Sequence, residues 1–187
     1  MTRRNETAYA ILGLLTAGCS SGYDIKRMID TSLNHFWKIS YGQIYPMLTK
    51  LHEEGLADVT EQHEPGKTAR KEYTITEKGK AALTEWLESP LEGLSAEKNE
   101  VLLKLFFSRH QNRETTIKLL HDYKDQLTAR HKTYETIEAG IRNEACPSPD
   151  ARYWLMTLDF GKRRTEAGIS WCTDTIEQLT REEEARS

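Results

Sequence analysis

The chain has 187 residues, a length that supports one or two domains, each with a hydrophobic core. Only 37% of its residues are hydrophobic and no apolar run approaches the ~18 residues of a transmembrane helix, which excludes an integral membrane protein. The formal net charge of -3 excludes a uniformly basic nucleic-acid-binding protein, so any positive binding surface must be local.

The first residues and the cysteines indicate the cellular compartment. The sequence Met-Thr-Arg-Arg-Asn-Glu at the start carries no apolar targeting segment. Cys19, Cys146 and Cys172 are odd in number, far apart and without the Cys-x-x-Cys spacing of zinc or redox sites. We therefore expect a protein of the reducing cytoplasm, with neither a disulfide framework nor a structural metal.

The spacing of apolar residues predicts two helices at the start of the chain. Residues 8–15 are almost all apolar, which is typical of a helix that is buried on most sides. Ser21 and Asp24 form a Ser-x-x-Asp capping pattern before the second helix. The second helix carries its apolar residues at helical spacing, namely Ile25, Met28, Ile29 and Leu33.

A third helix is predicted between Ser40, a good N-cap, and Gly55, a C-terminal stop. Ile44, Leu48 and Leu51 recur at i, i+4 and i+7 and form its core stripe. The opposite face carries no acidic residue over its first three turns, whereas an ordinary solvated helix mixes acids and bases. The polar and aromatic residues of this face and its margins are Ser40, Tyr41, Gln43, Tyr45, Thr49 and Lys50.

These residue types suit a helix that is presented to a nucleic acid. The Gln43 amide can hydrogen-bond adenine edges, while Lys50 and the two phenols can reach phosphates. The positive end of the helix dipole also favours anions near the helix N-terminus. Taken alone, the segment has an alternative interpretation as an ordinary surface helix.

After the third helix the pattern changes from helical to extended. Residues 56–60 and 71–76 are predicted strands, with a Pro-Gly turn signal between them. A further helix begins at Thr76. The basic residues near the tip of this hairpin are Lys67, Arg70 and Lys71. Three helices, a hairpin and a closing helix predict a winged helix-turn-helix, in which the third helix enters the major groove and the hairpin reaches the DNA backbone or the minor groove.

Distinctive motifs occur in a fixed order over about residues 5 to 88. They are Ala10-Ile-Leu-Gly-Leu-Leu15, Ser21-Gly-Tyr-Asp-Ile25, Gly42-Gln-Ile-Tyr-Pro-Met-Leu48, Leu51-His-Glu-Glu-Gly-Leu56 and Arg70-Lys-Glu-Tyr-Thr-Ile-Thr-Glu-Lys-Gly79. In order and spacing they resemble the PadR family of bacterial transcription regulators. The resemblance implies a DNA-binding winged-helix regulator. Many relatives have Thr or Ser at the position of Gln43, so the operator sequence stays open.

Beyond a linker at residues 89–97 the composition becomes helical, first with a short apolar helix at 101–107. Two long helices are predicted over residues 113–143 and 150–184. Their apolar seams exceed what one small helical body can cover, which predicts pairing with a second subunit. The predicted dimer contacts are Leu120, Leu127, Tyr134, Leu155, Leu158, Ile169, Ile176 and Leu179. A self-contained helical domain is the alternative, and the PadR resemblance implies a dimer.

The sequence contains no glycine-rich phosphate loop, no nucleophile elbow and no His-x-x-x-His pair. We therefore predict that the protein is not an enzyme and has no cofactor or metal site. The tryptophans, which are interpreted first as packing residues, are Trp37, Trp86, Trp154 and Trp171. The PadR resemblance implies a second interpretation, in which such residues bind a planar aromatic effector between the DNA-binding domain and the dimer helices.

The predicted fold is mainly α, with a winged helix-turn-helix DNA-binding domain of mixed α/β content at residues 1–89 and a long-helix dimerisation domain at residues 90–187. The predicted function is a transcriptional repressor that binds a pseudo-palindromic operator in double-stranded DNA as a homodimer, with release by a small molecule. The alternative is a winged-helix module that docks a protein partner without sequence-specific DNA binding. Such a docking face should expose larger apolar side chains.

Overall fold

The computed structural model describes residues 6–62, 70–91, 93, 98–143 and 148–184. The chain divides into two compact units, Met1–Gly93 and Leu94–Ser187. The first unit contains α1 (Glu6–Thr16), α2 (Gly22–Thr31), a 3-10 turn (Leu33–His35), α3 (Tyr41–Glu53), β1 (Ala57–Gln62), β2 (Arg70–Ile75) and α4 (Glu77–Glu88). The second contains α5 (Glu100–Phe106), a 3-10 turn (Ser108–His110), α6 (Arg113–Arg142) and α7 (Ala151–Glu184). Within the described residues no helix combines the length and apolarity needed to cross a membrane.

The core of the first unit is built from the predicted stripes of three helices. Its fully buried side chains are Ile11, Leu12, Ile25, Ile29, Ile44, Leu48 and Leu51. Burial of one such side chain contributes about 1.5 to 3 kcal/mol to folding, so this packing fixes α3 against α1 and α2. The predicted stripe of α3 is confirmed, and its burial turns the opposite face of the helix toward solvent.

β1 and β2 form an antiparallel hairpin, called the wing below, in which Ala57 pairs with Ile75 and Val59 with Tyr73. The Tyr73 side chain is buried, and its backbone N–H donates to the Ser20 carbonyl at 2.7 Å. This bond attaches the wing to the segment before α2. The helices and the wing together form a winged helix-turn-helix, as the sequence predicts.

The first turn of α4 lies close to the start of the wing, because the backbone at Gly79 approaches the backbone at Leu56. A Cβ at this position would lie 2.1 Å from the Leu56 carbonyl oxygen. The Thr76 hydroxyl caps the helix, since it accepts from the Gly79 N–H at 3.0 Å and donates to the Gly55 carbonyl at 2.8 Å. The Thr-Glu-Lys-Gly run therefore couples the end of β2 to the start of α4.

In the second unit, α6 and α7 pack side by side as an antiparallel pair. The Tyr134 ring would lie 3.0 Å from a Cβ at Gly161, and Leu127 would lie 2.8 Å from a Cβ at Gly168. These two glycines leave room for the larger side chains of α6. The close approach buries Leu120, Tyr134, Leu158, Thr165 and Cys172 between the two helices.

This pairing corrects part of the dimer prediction. Leu120, Tyr134 and Leu158 are already buried within one chain, so they are not available to a second subunit. The physical reason is that two antiparallel helices cover each other's apolar seam, and seam spacing marks a packing face without specifying its partner. Leu127 contacts the Gly168 region of the same chain. The remaining predicted contacts are partly buried on α7, namely Leu155, Ile169, Ile176 and Leu179.

Two apolar surfaces of the second unit stay exposed. The α5 patch consists of Leu102, Leu103, Phe106 and Phe107. The α7 patch consists of Tyr153, Met156 and Phe160, which recur at helical spacing near the start of α7. Neither patch was among the predicted dimer contacts, although the apolar character of α5 is visible in the sequence.

Candidate nucleic-acid interface

The predicted recognition face of α3 lies on the protein surface. Ile44, Leu48 and Leu51 are buried, and the first turn of α3 contains no acidic residue. The residues predicted to meet DNA from this helix are all exposed: Ser40, Tyr41, Gln43, Tyr45, Thr49 and Lys50. The structure therefore brings these side chains together on one accessible face.

Gln43 is held in place by the residue that precedes α3. Its side-chain Oε1 accepts one hydrogen bond from the Ser40 backbone N–H at 3.2 Å and another from the Ser40 hydroxyl at 3.0 Å. The first bond is the glutamine half of a capping box, which satisfies a backbone donor at the helix start. The sequence predicted Ser40 as the N-cap, but it did not indicate that the Gln43 amide takes part in the cap.

Tyr41 is bound to two charged residues of α2. Its hydroxyl donates a hydrogen bond to the Asp30 carboxylate, and Lys26 Nζ lies 4.3 Å from the centroid of its ring. The bond to Asp30 raises the pKa of Tyr41 above its ordinary value, because it stabilises the protonated phenol. Lys26 and Asp30 were not predicted from the sequence, although their four-residue spacing places them on one face of α2.

Tyr45 lies against Gly22, the first residue of α2. A Cβ at Gly22 would come within 2.5 Å of the Tyr45 ring, so a larger residue would displace the tyrosine. The Tyr45 side chain is nevertheless 60% exposed. Gly22 therefore sets the position of an accessible phenol at the junction of α2 and α3.

Lys50 forms a weak ion pair with Glu54, one turn further along. The distance from Lys50 Nζ to Glu54 Oε1 is 3.7 Å, and the two side chains are 53% and 49% exposed. Exposed pairs of this kind contribute about 0.3 to 0.5 kcal/mol, so a phosphate can replace the carboxylate with little loss of stability. Lys50 is thus available for a phosphate contact.

Arg70, which is predicted to contact the DNA backbone, pairs with α2, although its side chain is 56% exposed. Arg70 Nη2 donates to the Asp24 carboxylate at 3.0 Å and to the Ser21 hydroxyl oxygen at 3.2 Å. The hydrogen bond from the Ser21 hydroxyl, together with the Arg70 charge, holds the pKa of Asp24 below its ordinary value. The wing folds back onto α2 and brings Arg70 to this carboxylate. Arg70 therefore attaches the wing to α2, and its role as a DNA-backbone contact stays a prediction from the sequence.

Of the two other predicted basic residues of the wing, the structure describes Lys71 but not Lys67. Lys71 Nζ lies 3.5 Å from Glu61 Oε1 across the two strands, and both side chains are about half exposed. Such an exposed pair is weak and leaves the ammonium accessible. Lys67 lies outside the described residues, so its predicted role stays a prediction from the sequence.

The four tryptophans do not form one cluster. Trp86 stacks on Tyr9, with ring centroids 4.9 Å apart and an interplanar angle of 4°, which is a packing role within the first unit. Trp37 is 36% exposed in the same unit. Trp154 and Trp171 are partly buried on α7, 17 residues and about 25 Å apart along the helix. A small ligand can therefore contact at most one of these two in one chain.

Two models of protein families match the chain in tandem. The Transcriptional regulator PadR-like family matches residues 11–85, and the Virulence activator alpha C-term family matches residues 97–180. The Negative transcriptional regulator PadR of Bacillus subtilis is 32% identical over 181 residues, covering 93% of this chain and 97% of that protein. The Probable transcriptional regulator Rv1176c of Mycobacterium tuberculosis is 28% identical over 187 residues, covering 91% and 96%.

Solved structures agree with these sequence matches. Bacillus subtilis PadR in complex with operator DNA superimposes with a TM-score of 0.83 at 30% identity, over 94% of this chain and 99% of that chain. The same protein in complex with p-coumaric acid gives 0.76 at 30% identity, over 92% and 94%. The Vibrio cholerae virulence activator AphA gives 0.71 at 28% identity, over 93% and 98%. The winged-helix motifs, the long carboxyl-terminal helices and these relatives together identify the chain as a member of the PadR-like family of transcriptional regulators.

Proposed function

We propose that this chain is a repressor that binds a pseudo-palindromic operator as a homodimer, with α3 in the major groove. The observation that carries the proposal is the outward face of α3, which is exposed, polar and free of acids in its first turn. Similarity to Bacillus subtilis PadR, which has been crystallised with operator DNA, supports DNA binding. The description of that relative as a negative regulator supports repression.

Each residue of the interface has a proposed role. Gln43 lies near the N-terminus of α3 and meets base edges, whereas Lys50 contacts a phosphate further along the helix. Arg70 positions the wing through Asp24. The residues proposed to donate to the DNA backbone around these points are Tyr45, Lys67 and Lys71. Ser40, Tyr41 and Thr49 line the same surface, but their hydroxyls already donate to Gln43 Oε1, to the Asp30 carboxylate and to the Tyr45 carbonyl.

The alternative function, a module that docks a protein partner, has less support from the same face. The centre of a protein interface is depleted in charged residues and more apolar than its rim. The exposed large hydrophobic residues of α3 are the phenols Tyr41 and Tyr45, and no leucine, isoleucine or methionine of α3 is exposed. The face therefore fits a polar, anionic partner better than an apolar one.

We further propose that two chains pair through the α5 patch and the α7 patch. The α5 patch adjoins the first half of α6, where Asn99 donates to the Tyr123 hydroxyl at 3.0 Å. The α7 patch adjoins the other end of α6, where Lys162 Nζ lies 2.7 Å from the Glu138 carboxylate. At 1.5 Å per residue, the distance from Tyr123 to Glu138 along α6 is roughly 20 Å.

Two patches at opposite ends of one helix pair suit an isologous dimer. A two-fold axis across the helix pair lets the α5 patch of each chain cover the α7 patch of its partner, so both are buried by one operation. Exposed apolar surface of this kind is unusual on a monomer and marks an interaction site. Burial of each leucine or phenylalanine would contribute about 1.5 to 3 kcal/mol toward association.

The last part of the proposal is that a planar aromatic molecule releases the operator. Bacillus subtilis PadR has been crystallised with p-coumaric acid, which supports this class of ligand. The tryptophans proposed to report on it are Trp37, Trp86, Trp154 and Trp171. Titration with p-coumaric acid should quench tryptophan fluorescence and weaken operator binding, and Trp→Phe changes made one at a time should locate the quenched residue. A titration without either effect would contradict this part of the proposal.

DNA binding itself is tested with the full-length protein on the DNA upstream of its own gene and on a random duplex of equal length. We expect binding to the upstream DNA to be about a thousandfold tighter or more. For both duplexes, the logarithm of the association constant should fall linearly with the logarithm of the salt concentration, because phosphate neutralisation releases counterions. Equal affinities for the two duplexes, or no dependence on salt, would contradict the proposal.

A further inference from the structure

We infer that Gln43 acts only as a hydrogen-bond donor in the major groove, and that it therefore selects guanine and rejects adenine. The inference rests on the proposed DNA-binding function and on the two hydrogen bonds between Ser40 and the Gln43 amide. A free glutamine recognises adenine by accepting from its N6 amino group and donating to its N7. That pairing requires an available amide oxygen.

The amide oxygen of Gln43 is already occupied. It accepts from the Ser40 N–H at 3.2 Å and from the Ser40 hydroxyl at 3.0 Å, and a carbonyl oxygen has two lone pairs. The backbone N–H also fixes the orientation of the amide, since an N–H donor pairs with the oxygen and not with the amino group. No described residue accepts a hydrogen bond from Nε2 of Gln43, whose side chain is exposed. The two Nε2 hydrogens are therefore the groups that Gln43 offers to DNA.

Guanine matches such a donor and adenine does not. Guanine presents O6 and N7 as two adjacent acceptors in the major groove, whereas adenine presents one acceptor beside an amino donor and thymine presents one acceptor, O4, beside a methyl group. A donor-only amide can bond to O6 and N7 of guanine, but it meets the adenine amino group as one donor facing another. Rotating the amide to free its oxygen would leave the Ser40 N–H without its partner in the chain. The two hydrogen bonds from Ser40 thus restrict which base Gln43 can bind.

Selection of duplexes from a library of randomised sequences tests the inference, with the full-length protein and its Gln43→Ala variant compared by sequencing. We expect the wild type to select a G·C pair at one position of each half-site. In Gln43→Ala, the preference for G·C over A·T at that position should fall by about 5- to 150-fold, while the preferences at the other positions stay unchanged. An A·T pair at the Gln43-dependent position, or no position that depends on Gln43, would overturn the inference alone. A wild-type selection without any enriched sequence would overturn the proposed function as well.

Substitutions at Ser40 test the cause of the selectivity. Ser40→Ala removes the hydroxyl donor, and Ser40→Pro removes the hydroxyl and the backbone N–H together. Proline fits the backbone at this position, because the Ser40 φ of -75° is close to the angle of about -65° that proline requires. Acceptance of adenine at the Gln43-dependent position should rise in the order wild type, Ser40→Ala, Ser40→Pro. Folded variants, checked by circular dichroism, that keep a strict guanine preference would overturn the inference.

Gln43→Glu provides a second variant that does not depend on the folding of Ser40→Pro. Glutamate keeps an oxygen for the Ser40 N–H but has no amino group. We expect this variant to retain the melting temperature of the wild type and to lose the guanine preference. A Gln43→Glu protein that still selects guanine at this position would show that the amide hydrogens do not read the base.

Discussion

The Arg70 guanidinium of β2 donates to the Asp24 carboxylate of α2, with 3.0 Å between Nη2 and Oδ2. The two residues are 46 positions apart in the sequence, and their contact joins the wing to the first turn of α2. The Ser21 hydroxyl bonds to both partners and completes a three-residue cluster. Because α2 packs on α3, this cluster sets where the wing stands relative to α3.

Arg70→Gln should therefore weaken operator binding without changing its salt dependence. Glutamine has no charge to hold Asp24, so the wing loses its ionic attachment, but no phosphate contact disappears. The measurement is operator affinity at several salt concentrations. Lys71→Gln is the positive control, because Lys71 is an exposed base of the same strand that is proposed to contact the DNA backbone, so its removal should lower the slope. A slope that falls in Arg70→Gln by about one unit for each phosphate that is no longer neutralised would instead identify Arg70 as a direct DNA contact.

The Asp24 carboxylate should stabilise the protein above acidic pH and lose this effect on acidification. Its folded-state pKa lies below the ordinary value of about 3.9, so the stabilisation is fully present above that value and is lost as the pH falls through the folded-state pKa. Asp24→Asn should melt below the wild type at about pH 7, and the difference should shrink as the pH falls below the ordinary aspartate pKa of about 3.9.

The control for this pH dependence is Asp58→Asn, which removes an exposed carboxylate outside the cluster. We expect its difference from the wild type in melting temperature to change much less with pH. A difference between Asp24→Asn and the wild type that is constant from neutral to acidic pH would contradict a stabilising ion pair at Asp24.

Local sequence patterns predicted the helices and the exposed face of α3, because helical periodicity follows from the local backbone. The spacing of Ile44, Leu48 and Leu51 is sufficient to orient that helix. The partner of Arg70 could not be predicted in this way. A base near a hairpin tip looks free in the sequence, and Asp24 is remote from it along the chain.

The surface proposed for dimer formation was also beyond the reach of local patterns. Heptad spacing of Leu120, Leu127 and Tyr134 indicates an apolar face, but either α7 or a second chain could cover it. Gly161 and Gly168 allow α7 to approach from within the chain. A second chain can contact only the apolar surface that packing within one chain leaves exposed. The three-dimensional structure is needed to identify that surface.

Phe106→Lys and Phe160→Lys should each convert the dimer to a monomer. Phe106 is 81% exposed in the α5 patch and Phe160 is 62% exposed in the α7 patch. A lysine in either patch would bury an unpaired charge against the apolar patch of the other chain. Sedimentation velocity at micromolar concentration measures the change.

The control for the two patches is Phe36→Lys, because Phe36 is 57% exposed in the first unit and belongs to neither patch. This variant should sediment as the wild type does. If Phe106→Lys and Phe160→Lys also remain dimeric, two chains do not pair through these patches, and a monomeric wild type would contradict the homodimer itself.

Whether the outward face of α3 contacts the DNA backbone is decided by a comparison of Lys50→Ala with Lys80→Ala. Both lysine side chains are 53% exposed, and each pairs with a nearby glutamate, Lys50 with Glu54 at the C-cap of α3 and Lys80 with Glu77 of α4. The salt dependence of binding is measured for both variants on operator and random DNA. Lys50→Ala should weaken binding to both duplexes and lower the slope by about one unit for each phosphate that the dimer no longer neutralises, while Lys80→Ala should leave the slope unchanged. Equal slopes for the two variants would contradict a DNA-binding role of this face.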